Sequence, residues 1–198
     1  MTEQLKKPDR RVVRSKIALK QALLTLMSER GYDSVSITDI VERADYNRGT
    51  FYTHYENKDA LLSDIISELI QELMKAFRAP YEHQAIFRIS EMSANSIKIF
   101  EQIHENAAVY TTLLQSNVAT SLWKHMFLAL KQISMEELVY SESGIDPELQ
   151  AAFSIHALLG LIFHWIESGF KHSPAYMQEQ LYKMIHWHPT EAKTKLKS

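Results

Sequence analysis

Residues 36–55 read Ser36-Ile37-Thr38-Asp39-Ile40-Val41-Glu42-Arg43-Ala44-Asp45-Tyr46-Asn47-Arg48-Gly49-Thr50-Phe51-Tyr52-Thr53-His54-Tyr55. Ser36 followed three positions later by Asp39 has capping-box spacing, with Asp in place of the usual Glu, and opens a short helix to Ala44. After Asp45-Tyr46, Asn47 has N-cap chemistry and starts a second short helix, Asn47–Tyr55. Two short helices joined by a tight turn behind a longer scaffold helix form a helix-turn-helix. Ile40, Val41, Ala44, Phe51 and Tyr55 supply its apolar contacts, and the small Ala44 lets the second helix approach closely.

Outward from this stretch the chain reads as helix throughout. Asp9 is predicted to cap a first helix that runs to about Arg30, with Leu19, Ala22, Leu23, Leu26 and Met27 on one face and Gly31 as its stop. Asn57 caps a long helix, Lys58–Ala79, halted at Pro80. Further helices are expected near Ile86–Glu105, Ala107–Leu114 and Val118–Tyr140, with a loop over Ser141–Gly144. Asp146-Pro147 and Ser173-Pro174 each place a capping side chain before a proline at the first helical position. The first of these helices is expected to end at Gly169 and the second to be limited by Pro189, before a fraying Lys-rich tail, Thr190–Ser198. Five glycines and five prolines in 198 residues, with no strand-like alternation between them, define an all-α chain of about nine helices. Residues 1–57 form the helix-turn-helix domain. Residues 58–198 form a helical bundle entered through the Lys58–Ala79 connector.

Composition narrows the function. There are no cysteines, hence no disulfide and no thiolate nucleophile or metal site, in keeping with a cytoplasmic protein. The longest mostly apolar run, Ala151–Ile166, is interrupted by Ser154 and His156 and is shorter than the ~20 residues of a membrane span, so it reads as a buried helix. The net charge of −2 hides an asymmetry: residues 1–58 carry eleven Lys/Arg against eight Asp/Glu, and residues 59–198 eleven against sixteen. A basic head on an acidic body points to a polyanionic partner for the head.

The outward residues of the second short helix fit that partner. Arg48, Thr50, Tyr52, Thr53 and His54 offer donors and flat rings rather than carboxylates. A guanidinium such as that of Arg48 can pair with a guanine edge in the major groove of double-stranded DNA. The hydroxyls of Thr38, Thr50 and Tyr52, and the amine of Lys58, suit phosphate oxygens. Gly49 costs about 1 kcal/mol of helix propensity, which close approach of the backbone to DNA would justify.

Here a resemblance becomes specific. Ser-Ile-Thr-Asp-Ile-Val-Glu-Arg-Ala, Asn-Arg-Gly-Thr-Phe-Tyr-Thr-His-Tyr and Asn-Lys-Asp-Ala-Leu together resemble the DNA-binding domain of the TetR (tetracycline-repressor-like) family over about Ser15–Ile66. The resemblance implies that Thr38, Asn47, Arg48, Thr50, Tyr52, His54 and Lys58 occupy DNA-contacting positions. It also implies that the remaining helices dimerise and, in many members, bind a ligand. Asp45 stands where Gly is usual and Tyr46 where Val is usual. An aspartate tolerates left-handed backbone less well than glycine, so a strained turn is expected.

In the second half, Leu149–Ile166 is apolar around nearly its whole circumference, with Ala151, Ala152, Ser154, Ala157 and Gly160 small enough for another helix to come close. With Tyr176, Met177, Leu181, Met184 and Ile185 of the last helix it suggests a homodimer through Asp146–Gly169 and Pro174–His188. Aromatic and polar residues Phe77, Phe100, His104, Tyr110, Trp123, Phe127 and Phe153 are candidates for a small-molecule effector pocket. The histidines lack metal-ligand spacing, and no nucleophile elbow, P-loop or Rossmann glycine pattern is present. Neither catalysis nor a cofactor nor a membrane role is indicated. The expected function is a DNA-binding repressor, dimeric on a palindromic operator and released by a small molecule. A ligand-independent regulator whose bundle recruits a protein remains the alternative, ahead of an enzyme or a small-molecule carrier.

Overall fold

The computed structural model describes residues 10–138 and 144–187. Among these there are nine α-helices and no strands: α1 Arg10–Arg30, α2 Ile37–Arg43, α3 Arg48–Tyr52, α4 Lys58–Arg78, α5 Ile99–Glu105, α6 Ala107–Leu114, α7 Ala119–Glu136, α8 Pro147–Glu167 and α9 Pro174–Ile185. The seventh helix, expected to reach Tyr140, ends at Glu136 with Glu137 as its C-cap; the Asp9 cap, most of the Ser141–Gly144 loop, His188, Pro189 and the Thr190–Ser198 tail lie outside the described residues.

The predicted starts rest on real caps. The Ser36 hydroxyl accepts from Asp39 N–H at 3.2 Å while Ser36 N–H donates back to the Asp39 carboxylate at 2.7 Å. Asn47 Oδ1 takes Thr50 N–H at 2.8 Å and Asn57 Oδ1 takes Ala60 N–H at 2.8 Å. Asp146 and Ser173 do the same for α8 and α9, each with proline at the first helical position. Every one of these side chains satisfies an amide that the helix itself leaves unpaired.

One expected helix breaks. Ile86–Glu105 is helical only from Ile99; before it run two 3-10 turns, Ile89–Glu91 and Ala94–Ser96. Ser and Asn side chains here compete with the backbone ladder, as Ser96 does by donating to Ser93 O at 2.7 Å. The free carbonyl of Ile97 is instead taken by the buried Gln178 of α9, at 2.7 Å. A partner distant in sequence thus stabilises the irregular segment.

A single apolar core runs through the chain, from Leu19, Leu23, Phe51 and Leu61 in the head to Phe100, Tyr110, Leu159 and Trp165 in the body. α4 joins the two, packing against α1 on one side and α5 and α7 on the other. Its far end is clamped to the end of α7 by Arg78, whose guanidinium grips Glu137 at 2.6–3.0 Å. The α6–α7 turn reaches back to the head, where the Asn117 amide donates to Asp33 at 2.6 Å. α8 is long and apolar enough by length and composition alone to cross a membrane. Only one side of it, with Ile155, Leu159, Ile162 and Trp165, enters the core.

Candidate nucleic-acid interface

The α2–α3 unit is built from its turn. Asp45 adopts φ 57°, the left-handed conformation in which glycine is most at ease. Tyr46 N–H bonds Val41 O at 2.9 Å and Asp45 N–H bonds Glu42 O at 3.2 Å, which closes a Schellman motif and satisfies the last carbonyls of α2. The strained turn expected from Asp45 is therefore present, and its hydrogen bonds hold it. Asp39, at the other end of α2, accepts from Ser36 and pairs with Arg30 at 2.9 Å. The Ser36 hydrogen bonds and then Arg30 hold its carboxyl below the usual carboxylate range.

α3 is shorter than the predicted Asn47–Tyr55 helix: it ends at Tyr52, with Thr53 as C-cap. Phe51 is wholly buried and Tyr55 nearly so, its hydroxyl donating to Asp64 of α4 at 2.7 Å. These two rings fix the helix to the head like a base plate. Facing away from them, Arg48 and Gly49 are exposed and Tyr52 is 52% exposed. A Cβ at Gly49 would lie 3.1 Å from Asn47 Oδ1, crowding the oxygen that caps the helix. Glycine at this position thus has a structural reason in addition to any approach of DNA.

The nine residues singled out in the sequence separate into two sets. Thr38, Asn47, Arg48, Gly49, Tyr52 and Thr53 are exposed, and Thr50 is half-buried behind the Asn47 cap. His54 and Lys58 turn inward. His54 Nε2 lies 2.7 Å from Ser15 Oγ of α1. The Lys58 ammonium donates to the carbonyls of Tyr32 and Val35 at 2.8 Å each and sits 4.1 Å from the centre of the Tyr32 ring. Asp59 receives the Tyr32 hydroxyl. The start of α4 therefore ties down the α1–α2 turn in this structure, a role that spacing alone does not reveal.

The chemistry of the surface follows from which charges are used up inside. Lys16 and Lys20 pair with Asp64, Arg30 with Asp39, and Arg43 with Glu29. Among the described residues Arg48 takes no part in any ion pair. An unneutralised guanidinium on a protruding, capped helix is what base-edge readout in a major groove requires.

Two family profiles match this chain. "Bacterial regulatory proteins, tetR family" covers residues 20–65, and "Transcriptional regulator C-terminal region", of the TetR type, covers residues 90–186. The chain belongs to the TetR family. It is accordingly an all-α DNA-binding transcriptional regulator of the bacterial cytoplasm. It is 27% identical over 167 residues to the HTH-type transcriptional regulator YxbF of Bacillus subtilis, covering 84% of this chain and 43% of YxbF. It thus spans less than half of that relative's length. YhgD of the same organism, another HTH-type transcriptional regulator, is 28% identical, with 77% of this chain and 84% of YhgD covered. The transcriptional repressor DhaR of a Mycobacterium species is 24% identical, with 68% of this chain and 73% of DhaR covered. A crystal structure of a TetR-family regulator from Syntrophomonas wolfei shares the fold at TM-score 0.67 and 16% identity, covering 87% of this chain and 93% of that one.

The seven aromatic and polar residues of the bundle do not gather around one cavity in this TetR-family chain. Phe100 and His104 pack around Trp165, with ring centres 5.5 and 6.1 Å away. Trp123 stacks on Phe127 at 5.2 Å, with His156 beside them. Phe77 packs edge-on against Tyr81, the wholly buried Tyr110 donates to Gln102 Oε1 at 3.3 Å, and Phe153 stands 78% exposed on α8. A groove of about 300 Å³ opens beside Trp165, which lines it with Leu161, His164, His172, Tyr176 and Met184 among others of α8, α9 and the turn between them. Trp165, whose indole N–H donates to His172 O at 2.9 Å, is the central ring of this region. Its place inside a long apolar run gave no sign of that.

Proposed function

We propose that this regulator represses transcription as a homodimer on a near-palindromic operator and releases the DNA when a small molecule binds its helical body. The observation that carries the DNA half is α3 itself: Arg48 and Tyr52 exposed on a short capped helix, with Phe51 and Tyr55 buried beneath. Arg48 reads a base, worth about 1–3 kcal/mol of discrimination. Tyr52, Thr38, Thr53 and the backbone at Gly49 position the helix on the phosphates, while Asn47 and Thr50 hold its first turn. The repressing sign is taken from the relative named a repressor, DhaR, in preference to DhaS of Lactococcus lactis, also 24% identical and named an activator.

The dimer rests on the outer side of α8. Leu149 is 68% and Phe153 78% exposed, and the glycine at its middle, Gly160, has no neighbouring atom within 4 Å of where a Cβ would be. A mid-helix glycine with open space at its Cβ position among the described residues, on a face carrying bare Leu and Phe, suits the close approach of the same helix from a second copy. Tyr176, Met184, Ile185 and Trp187 extend that apolar surface through and beyond α9. Two-fold symmetry then sets the recognition helices against half-sites about 34–36 Å apart. The effector is supported by Gln102, whose side-chain amide nitrogen is buried beside Tyr110 and has no partner among the described residues. A buried donor left unpaired in an apolar body is a polar handle for a ligand acceptor.

Binding to duplexes tiled across the region upstream of its own gene tests the reading. Arg48→Ala and Tyr52→Ala should each lose preferential binding while melting within about 0.5 kcal/mol of the parent, as exposed substitutions do. Retained preference in both variants overturns the assignment of α3. A melting-temperature screen of small apolar acceptors, followed by operator release, tests the effector. A compound that stabilises the parent but not Gln102→Leu supports it, and one that stabilises both equally removes Gln102 from the role.

A further inference from the structure

The basic residues of the head fall into two groups. Lys16, Lys20, Arg30 and Arg43 are neutralised by carboxylates of the same chain, and Lys58 is folded onto backbone carbonyls. Among the described residues Arg10, Arg14 and Arg48 enter no ion pair. Arg48 belongs to α3; Arg10 and Arg14, with the exposed Arg11, occupy the first turns of α1, which carry no acidic side chain at all. Among the described residues of the head, the charges of Arg10, Arg14 and Arg48 that no ion pair takes up therefore lie at two places.

Those two places are bonded to each other. Ser15 is 4% exposed, and its hydroxyl meets His54 Nε2 at 2.7 Å while also lying 3.0 Å from Arg11 O. His54 follows the Thr53 C-cap of α3. Arg11 is one helical turn before Ser15 on the same side of α1, and Arg14 adjoins it. The hydrogen bond thus sets the arginine-bearing end of α1 against the end of the recognition helix.

We propose that the first turns of α1 are a second DNA-contacting element, in which Arg10, Arg11 and Arg14 grip the sugar–phosphate backbone beside the groove entered by α3. His54 and Ser15 are positioning residues that keep the two elements in register. The proposal rests on α3 being the recognition helix. Phosphate contacts carry no sequence information but fix orientation and raise affinity for every duplex.

The test uses the full chain, a fluorescein-labelled promoter duplex and a scrambled duplex of equal composition, each titrated across a salt series. The triple variant R10A/R11A/R14A is expected to weaken binding to both duplexes about equally, by tenfold or more. Its slope of log K against log salt should flatten by roughly 2–3, near 0.9 for each lost phosphate contact. Ser15→Ala, which removes no charge, should flatten the slope in the same direction by a smaller amount, and Ser15→Thr, which keeps the hydroxyl, should restore it. Thermal melting confirms that each variant is folded. Unchanged affinity and slope in the triple variant, with Arg48→Ala impaired, overturns this inference and leaves the recognition helix standing. A parent chain with no preference for any promoter duplex overturns the recognition helix instead. Ser15→Ala with the parent's slope removes His54 and Ser15 from the positioning role.

Discussion

α3 and α8 are both helices with an exposed face, and the two faces are made of opposite materials. On α3 the exposed side carries Arg48, Gly49 and Tyr52, and the apolar side is sealed by Phe51 against the head. On α8 the inner side is equally well packed, but the outer side keeps Leu149, Phe153 and Gly160 in the open. A charged, hydrogen-bonding face is stable in water and needs a partner only to function. Exposed apolar side chains such as Leu149 and Phe153 gain when a partner covers them, which is the basis of the dimer proposed above. On the function proposed above, the first face serves recognition of DNA and the second serves assembly.

Breaking the foundation of α3 should give the largest effect. Phe51→Ala empties a fully buried site and is expected to cost about 3–5 kcal/mol, unfolding the head in chemical denaturation and abolishing DNA binding although no exposed atom is touched. Its neighbour Tyr52→Ala should lose binding with the melting point nearly unchanged. Equal destabilisation by both substitutions would erase the contrast between the two sides of α3. Next comes the α8 face: Phe153→Asp should forfeit about 1.5–3 kcal/mol of apolar burial in each copy. It should shift the sedimenting species from twice the 23.0 kDa chain mass toward the single chain. A parent chain that sediments as a monomer at micromolar concentration would refute the dimer outright.

Smaller effects sharpen the head. Ser36→Ala removes the capping box of α2 and should cost about 1 kcal/mol in thermal melting. The same box makes the head acid-sensitive. Asp39 is held below the usual carboxylate range by Ser36 first and Arg30 next. Its stabilising contribution is therefore full above the unfolded value of about 3.9 and is lost as pH falls toward the lower folded value. Asp39→Asn should give a shallower fall in melting temperature between neutral pH and pH 3 than the parent; an identical fall would assign the acid sensitivity to other groups, such as Asp64. Smallest is Asp45→Gly, which relieves the left-handed backbone of the turn and should raise stability by a few tenths to about 1 kcal/mol.

How much of this could be read from the chain differs with the kind of interaction. Caps are local: Ser36, Asn47, Asn57, Asp146 and Ser173 each bond an amide three residues on, so spacing alone placed five helix starts. The Asp45 turn was legible for the same reason. The 86–98 segment was not, because its apolar residues keep helical spacing while its Ser96 bonds locally and its Ile97 carbonyl is taken by Gln178, 81 positions away. Nor were His54 and Lys58 placed by motif, since Ser15, Tyr32 and Val35, which they bond, lie 23–39 residues earlier. The aromatic residues of the bundle were visible as a set but not as an arrangement, and Phe153 proved to face outward.

By itself, then, the sequence determined the helical class, the caps, the helix-turn-helix and the exposed residues Arg48, Gly49 and Tyr52 of its second helix, because hydrogen bonds within four residues and the 3.6-residue period are written along the chain. Tertiary structure alone decided which charges remain free, which apolar faces remain bare, and which buried amide lacks a partner. Those properties are what is left after distant segments have paired, and pairing across dozens of residues leaves no periodic trace in the order of the residues.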